Sequence, residues 1–280
     1  MDEPRPNVLI VGGFMTAPPN YWPLRRRLLA RGAERVDICP LWPPDWVLAG
    51  LLGLGLIMHR TGRAVARTWR AGGQRPIIVV AHSGGGIAAR LAMSHLPFHG
   101  RRAGVAEAVG CLVTLGTPHL LSQLSNRYHH AGHDAVDFLE RETPGAYFAP
   151  RTAYLTVGSS YRATPFKNPV GRAADELFAM VVGRDEEPRG DGIVPAAAVH
   201  LQGAQQLTYE DVRHGHIGAN WYGASGIVER WWPAALDLWR DALEARERGL
   251  GPLGPTQAEL ARDLEDASLG PSEATLDRIG

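Results

Sequence analysis

Short apolar runs alternate with longer segments of helical periodicity along most of the chain. The runs that we predict as strands are 8–11, 35–39, 77–81, 111–115, 154–157 and 206–212. The run at 77–81 is apolar throughout, which is typical of a strand covered on both faces in a parallel sheet. The alternation of strand and helix predicts an α/β fold with a mostly parallel central sheet and helices on both faces.

The segments that connect these strands show helical periodicity. Predicted helices cover 23–31, 87–95 and 225–242, and Pro233 is expected to kink or split the last of them. Residues 46–70 predict one long helix or a bent pair. Their first part, 46–58, is apolar throughout but shorter than the roughly 20 residues that span a bilayer. We therefore predict a partly buried helix packed on the sheet, with membrane contact as the alternative interpretation.

The composition is that of an ordinary soluble enzyme. The chain has 280 residues, of which 45% are apolar and 21% charged, and its formal net charge is +0. This balance does not indicate nucleic acid or an anionic membrane as a partner. Cys39 and Cys111 lie in apolar runs and predict buried thiols, not a disulfide framework or a metal site. The polar start lacks the pattern of a signal peptide, so we expect a cytoplasmic protein without an integral membrane segment.

The pattern divides the chain into one domain and an appendage. Residues 1–247 are predicted to form a single α/β domain. A proline- and glycine-rich stretch at 249–256 leads into a polar, acidic end, so 248–280 are expected to be a loosely attached tail. Two long connections, 120–150 and 158–190, carry scattered leucine and aromatic side chains and are predicted to form a cap over the functional site.

A candidate nucleophile follows the most apolar strand. Ser83 stands in the stretch AHSGGG between a predicted strand and a predicted helix, the context of a nucleophile elbow. Such a turn needs small residues two positions before and two positions after the serine, and Ala81 and Gly85 meet this need, although glycine is usual at the first. The turn would expose the Ser83 hydroxyl and direct the Gly84 N–H at a substrate oxyanion. The alternative is a glycine-rich turn with an incidental serine.

A serine nucleophile needs a base and an acid, which follow it in the chain in this fold. Asp191, in the glycine-flanked stretch RGDGIVP, is the best acid, although Asp-Gly also commonly makes a surface turn. Asp175 and Asp185 are the fallback acids. Just after the last strand, His214 is the preferred base and His216 the alternative.

The loop after the first strand is the expected source of a second oxyanion donor. Position favours the Phe14 N–H, with Gly13 next, because glycine lets the backbone approach a substrate. An ordinary tight turn is the competing interpretation. His82 precedes the nucleophile, and the elbow should turn its side chain away from the Ser83 hydroxyl. We interpret it as packing or as a pocket wall that could line the substrate.

Taken together, these pieces resemble the lipase-like α/β-hydrolases, in particular the plant and cyanobacterial hydrolases related to the glycosylphosphatidylinositol inositol-deacylases. The matching pieces are GGF at 12–14, PDW at 44–46, HSGGG at 82–86, LGTPH at 115–119, GDGIVP at 190–195, VRH at 212–214 and WYG at 221–223. Ala81, and the lack of a serine after His214, depart from the pattern of the branch. The resemblance implies the same Ser83, Asp191 and His214. It also implies that His119 borders the site, as a substrate-lining or a turn-stabilising residue.

We therefore predict a serine esterase or lipase that cleaves a small-molecule or lipid-like carboxylic ester through an acyl-enzyme. This chemistry requires no metal and no organic cofactor. An acyltransferase or a thioesterase would use the same residues. A binding protein without activity is the alternative from another class, and a missing residue of the three would have favoured it.

Overall fold

Six parallel strands form one sheet in the part of the chain that the structure, a computed structural model, describes: residues 4–120, 131–161, 189–215 and 220–252. The strands are β1 Asn7–Val11, β2 Arg35–Ile38, β3 Ile77–His82, β4 Val109–Leu115, β5 Ala153–Ser159 and β6 Gln205–Tyr209. Their order across the sheet is β2-β1-β3-β4-β5-β6. The predicted α/β class and its mostly parallel sheet are confirmed. Since all strands run in one direction, the loops that follow them meet at one edge.

Six α-helices pack on the two faces of this sheet within the described residues. They are α1 Trp22–Ala30, α2 Pro43–Leu52, α3 Gly55–Ala71, α4 Gly84–Met93, α5 Ala131–Glu142 and α6 Ser225–Glu247. The core on one face joins α3, α4 and α5 to the sheet, and the core on the other face joins α1 and α6 to it. Successive residues of β3 alternate between the two cores, as the two-residue period of a strand requires. The sheet is therefore covered on both sides.

The apolar segment at 46–70 is a pair of helices. Gly53 ends α2 with a φ of 85°, a backbone conformation that favours glycine, and α3 begins at Gly55. Of the two predicted alternatives, the bent pair is therefore the observed one. The inner face of α2 is buried and much of its outer face is exposed to solvent, so the helix is partly buried.

Of the two expected effects of Pro233, a kink or a split of the last helix, the split does not occur. α6 continues without interruption from Ser225 to Glu247. Proline removes one backbone donor from the helix, but three buried tryptophans hold the segment in place around it. Their indole N–H groups bond to backbone carbonyls outside the helix: Trp231 to Tyr222, Trp232 to Arg31 and Trp239 to Pro76.

The described part of the first predicted cap segment includes α5, which lies in the packed layer. α5 contributes Val136 and Leu139 to the core, and Phe138 meets Phe98 with ring centroids 5.2 Å apart. Phe148 is also buried there, so these residues do not line a cap. The remaining parts of the predicted cap, 121–130 and 162–188, lie outside the described residues, as does most of the predicted tail.

A buried ion-pair cluster fixes the end of α6 at the edge of the sheet opposite the loops of the site. Glu107 bonds to Arg151 through both oxygens at 2.9 Å and to Arg246 of α6 at 2.8 Å. Arg246 also donates to the backbone carbonyls of Arg151, Glu107 and Val109.

None of the helices in the described residues is both long enough and apolar enough to cross a membrane.

Candidate active site

Ser83 stands on a strained turn between β3 and α4. Its φ of 54° and ψ of −133° are rare for a residue with a side chain. Hydrogen bonds hold the turn: the Ser83 N–H donates to the Leu115 carbonyl at 2.9 Å, and Thr117 Oγ1 donates to the Ser83 carbonyl at 2.9 Å. The turn leaves the serine partly exposed at the carboxyl end of the central strand.

Small residues are required around this turn. A Cβ atom on Gly85 would stand 2.6 Å from the carbonyl oxygens of both Val11 and Gly12. On Gly13 it would stand 2.7 Å from the Ser83 Cβ. The loop after β1 and the elbow after β3 therefore touch backbone to backbone. This close approach is the physical reason for the glycines at 13 and 85.

The structure brings Ser83, His214 and Asp191 into one hydrogen-bonded array. His214 Nε2 lies 2.9 Å from Ser83 Oγ, and His214 Nδ1 lies 2.7 Å from Asp191 Oδ2. A carboxylate only accepts, so Nδ1 carries the proton of the neutral ring and Nε2 is free to accept from the serine hydroxyl. The His214 N–H also donates to the Asp191 carbonyl at 2.9 Å. Two contacts thus fix the histidine to the acid.

Asp191 is buried and fully hydrogen-bonded. Its Oδ1 accepts from the N–H groups of Ile193 at 3.0 Å and Val194 at 2.7 Å, while Oδ2 accepts from Tyr222 Oη at 2.8 Å as well as from His214. Burial raises the pKa of Tyr222 well above its ordinary value, and the Asp191 charge raises it further. The phenol therefore keeps its proton and serves as a donor. These bonds leave the carboxylate with one orientation, toward His214.

The Phe14 backbone nitrogen lies close to Gly84, the residue after Ser83. A Cβ on Gly84 would stand 3.7 Å from the Phe14 nitrogen. Among the described residues, neither the Phe14 N–H nor the Gly84 N–H has a hydrogen-bond acceptor. The Gly13 N–H, in contrast, donates to Tyr21 Oη at 2.9 Å. The geometry thus favours Phe14 over Gly13 as the donor from this loop.

A chain of buried hydrogen bonds joins this loop to His214. Tyr21 Oη, which accepts from Gly13, lies 2.9 Å from His82 Nδ1, and His82 Nε2 lies 3.1 Å from the His214 carbonyl oxygen. Because a carbonyl only accepts, Nε2 of His82 donates, and in the neutral ring Nδ1 accepts from the Tyr21 hydroxyl. Burial raises the pKa of Tyr21 to about 12, which keeps this donor protonated.

The side chain of His82 therefore turns away from the Ser83 hydroxyl, as the elbow geometry predicts. It is buried, and its ring stands 4.8 Å from the His214 ring. A substrate-lining position for His82 is not observed, because its faces and both nitrogens contact protein. Gly13 is also buried and lies against Ser83.

His119 is enclosed by protein and contacts no open surface. Its Nε2 lies 3.0 Å from Thr114 Oγ1, and its Nδ1 lies 3.5 Å from the buried guanidinium of Arg90. Burial, followed by the Arg90 charge, lowers the pKa of His119 well below its ordinary value. The ring is thus neutral and holds together strand β4 and helix α4. Of the two interpretations of this residue, its position fits the turn-stabilising one and not the substrate-lining one.

Three alternative residues lie outside the described part of the chain: the second histidine, His216, and the fallback acids Asp175 and Asp185.

Two residues of the site were not predicted from the sequence, Tyr21 and Tyr222. The WYG triplet after the His214 loop was a signal for Tyr222, but its hydroxyl contact with Asp191 depends on tertiary structure. Tyr21, the last residue of a short 3-10 helix before α1, had no comparable signal.

Comparison with solved structures finds similar folds among lipases. A lipase of Bacillus licheniformis in its mature form matches with a TM-score of 0.57 at 17% identity, over 85% of this chain and 95% of that protein. A phospholipase of Legionella pneumophila matches with a TM-score of 0.54 at 14% identity, over 97% of this chain and 65% of that protein. No protein-family model matches the sequence, and no curated protein matches it significantly.

These similarities concern architecture, because both identities are below the level at which function can be transferred. The narrower resemblance to hydrolases related to the glycosylphosphatidylinositol inositol-deacylases stays a prediction. The parallel sheet, the elbow after its central strand and the lipase structures that share this arrangement lead to one conclusion: the chain has the α/β-hydrolase fold.

Proposed function

We propose that this protein is a serine hydrolase that cleaves carboxylic esters through an acyl-enzyme formed on Ser83. The observation that carries the proposal is the array in which His214 Nε2 lies 2.9 Å from Ser83 Oγ and His214 Nδ1 lies 2.7 Å from Asp191 Oδ2. A structural serine has no need of a strained backbone, a histidine in the tautomer of a general base and a fixed carboxylate behind it. The lipases that share the fold support the same reaction class.

In the first step, Ser83 Oγ attacks the ester carbonyl carbon while His214 Nε2 takes its proton. Asp191 accepts from Nδ1 and stabilises the imidazolium that forms. The carbonyl oxygen becomes an oxyanion, which the Phe14 and Gly84 N–H groups would bind. His214 then donates its proton to the leaving alcohol as the carbon–oxygen bond breaks, and the acyl group stays on Ser83.

In the second step, a water molecule attacks the acyl-enzyme. His214 takes a proton from this water and returns it to Ser83 Oγ when the acid product leaves. Tyr222 and the N–H groups of Ile193 and Val194 keep Asp191 oriented through both steps. An alcohol or a thiol in place of water would give acyl transfer with the same residues.

The test combines turnover with covalent labelling. Native protein, Ser83→Ala and a matched control, Ser225→Ala, are assayed on p-nitrophenyl esters from acetate to palmitate and treated with a fluorophosphonate. Ser225 is a suitable control because its hydroxyl is exposed and bonds to Arg31 at the start of α6. We expect loss of at least about 10⁴-fold in kcat for Ser83→Ala and no change for Ser225→Ala.

Mass spectrometry should place the phosphonyl group on Ser83. Labelling of another residue, or hydrolysis that survives Ser83→Ala, would rule out the mechanism. A folded native protein that neither hydrolyses any ester of the series nor reacts with the fluorophosphonate would instead favour a binding protein. Added alcohol acceptors with product analysis separate hydrolysis from acyl transfer.

A further inference from the structure

The outer face of α2 consists of apolar side chains exposed to solvent. Leu51 is 78% exposed, Leu52 is 72% exposed, and Val47 and Leu48 are also open to solvent. We call these four residues the α2 surface. A helix at the surface of a globular protein normally has polar residues on its outer side. Here the only charged residue of the helix, Asp45, points inward, where it accepts from the Trp42 N–H and pairs with Arg60.

The inner face of the same helix borders the candidate active site. Trp46 packs edge-on against Phe14 with ring centroids 5.8 Å apart, and its ring lies 3.6 Å from the place of a Cβ on Gly84. Phe14 and Met15, in the loop after β1, are themselves about half exposed. The helix that carries the α2 surface therefore borders the candidate active site through its inner face.

The sequence that follows α2 is rich in arginine although the whole protein is neutral. Between Asp45 and Glu107 the sequence contains no acidic residue and eight arginines: Arg60, Arg63, Arg67, Arg70, Arg75, Arg90, Arg101 and Arg102. Several of these lie near the carboxyl end of α2. The exposed Arg101 stands 3.5 Å from the place of a Cβ on Gly55, and the exposed His99 ring lies against Gly53.

The arginines around this end of the helix are close enough to act together. Arg63 follows His59 by one turn of α3, and Arg101 lies beside Gly55 at the start of the same helix. An apolar helix face beside a group of cations is the arrangement by which peripheral proteins bind anionic bilayers. A second copy of the chain is the other candidate occupant, and the experiments below distinguish it from a bilayer.

We propose that the α2 surface binds the protein to the surface of an anionic lipid bilayer. The leucine side chains would enter the boundary between headgroups and acyl chains, and Arg63 and Arg101 would pair with lipid phosphates. Docking in this way places the Phe14 loop and Ser83 at the lipid surface. The delivery of a lipid ester to Ser83 rests on the proposed function, whereas binding to the bilayer does not.

The first experiment is flotation of the full chain with vesicles. Vesicles of phosphatidylcholine with phosphatidylglycerol are compared with vesicles of phosphatidylcholine alone, for native protein and for Leu51→Ser/Leu52→Ser. The matched control is Leu250→Ser, a partly exposed leucine after α6, at the opposite edge of the sheet. We expect the double variant to lower partition onto anionic vesicles by about tenfold or more, and the control to leave it unchanged.

The second experiment tests the charge contribution. Arg63→Gln/Arg101→Gln should weaken binding to anionic vesicles by about tenfold and make the remaining binding less sensitive to salt. Arg26→Gln is the control, an exposed arginine on α1 in the layer on the other face of the sheet. Equal loss in the two variants would mean that general charge, and not the α2 region, drives binding.

Other outcomes overturn the proposal clearly. The proposal is wrong if native protein does not float with anionic vesicles, or if the leucine variant floats equally well. A dimer in sedimentation velocity that Leu51→Ser/Leu52→Ser dissociates, without any lipid binding, would assign the surface to a second copy. Thermal melting confirms that each variant is folded, and hydrolysis of soluble p-nitrophenyl acetate without vesicles tests the proposed function separately from docking.

Discussion

Tyr21 and His82 connect two parts of the site that are distant in sequence. Through them the backbone N–H of Gly13 is linked to the backbone carbonyl of His214 by three hydrogen bonds of 2.9 to 3.1 Å. We interpret both as positioning residues, which hold the loop carrying the Phe14 N–H and the loop carrying His214 at a fixed separation.

Removal of the Tyr21 hydroxyl tests this interpretation. Tyr21→Phe leaves the buried Gly13 N–H without its acceptor, so the loop should shift. We expect kcat for a short soluble ester to fall about tenfold with little change in KM, because the Phe14 N–H would be misplaced for the oxyanion and not for the ground state. The matched control is Tyr154→Phe, which removes a buried phenol from β5 whose hydroxyl bonds to the Phe148 N–H. A similar fall in kcat for the control would mean that lost stability, and not lost position, explains the effect.

The sequence predicts which residues carry the chemistry better than it predicts the residues that hold them in position. The order of Ser83, Asp191 and His214 was readable because it is the chain order that this fold uses for nucleophile, acid and base. The Tyr222 hydroxyl contacts Asp191, 31 residues away, and the tautomer of His82 depends on contacts with residues 61 and 132 positions away, which no local pattern encodes. The surroundings of His119 likewise depend on tertiary contacts, those with Arg90 and Thr114.

At the scale of elements, the His119 ring couples β4 to α4 and gives the fold a sensitivity to acid. Its pKa in the folded state is well below the ordinary 6.5, because of burial first and the Arg90 charge second. Above pH 6.5 the ring is neutral in both states, so this group adds no pH dependence there. Below pH 6.5 the unfolded chain binds a proton that the folded chain excludes, and the free energy of unfolding falls as the pH falls, by at most about 1.4 kcal/mol per pH unit.

Substitution of His119 should remove this dependence. His119→Gln is expected to lower the free energy of unfolding at pH 7.5, because Arg90 and Thr114 lose a well-fitted partner. Between pH 6.5 and 5 its stability should decline less steeply than that of native protein. Urea unfolding at a series of pH values measures both effects, with the exposed His99→Gln as control. Parallel declines of native protein and His119→Gln would refute the assignment.

The boundaries of the elements were harder to predict than their order. Residues 46–70 contain Gly50, Gly53 and Gly55, any of which permits a break, and only packing selects Gly53. Proline 233 indicated a break that three buried tryptophans prevent. At residues 46–70, local propensity does not decide which glycine ends the helix. At Pro233, tertiary contacts outweigh the low helix propensity of proline.

At the scale of the whole molecule, the Glu107 cluster anchors the last helix to the sheet. Burial alone would raise the pKa of Glu107, but the hydrogen bonds and charges of Arg151 and Arg246 outweigh it and lower the pKa. A lowered folded-state pKa means that this group stabilises the protein above its ordinary pKa of 4.5, and that the contribution is lost as the pH falls below that value.

Glu107→Gln keeps the shape but removes the charge between two guanidinium groups. We expect the free energy of unfolding at pH 7 to fall by about 2–4 kcal/mol, because two largely buried cations lose their counter-ion. The difference from native protein should shrink as the pH drops below 4.5. Asp237→Asn, which removes an exposed partner of Arg240, is the control and should cost less than about 1 kcal/mol. A loss no larger than that of the control would show that the cluster does not anchor α6.

The two cysteines have a consequence for how opening of this fold can be followed. Both thiols are buried, and burial raises the pKa of Cys39 to about 12 and that of Cys111 further still, so neither forms a thiolate while the sheet is closed. Cys111 lies in β4 between two other strands, whereas Cys39 follows the edge strand β2. An alkylating reagent therefore reaches Cys39 when the edge frays and Cys111 only when the centre of the sheet comes apart. The chain carries its own pair of chemical reporters, which distinguish local opening from global unfolding without any engineered label.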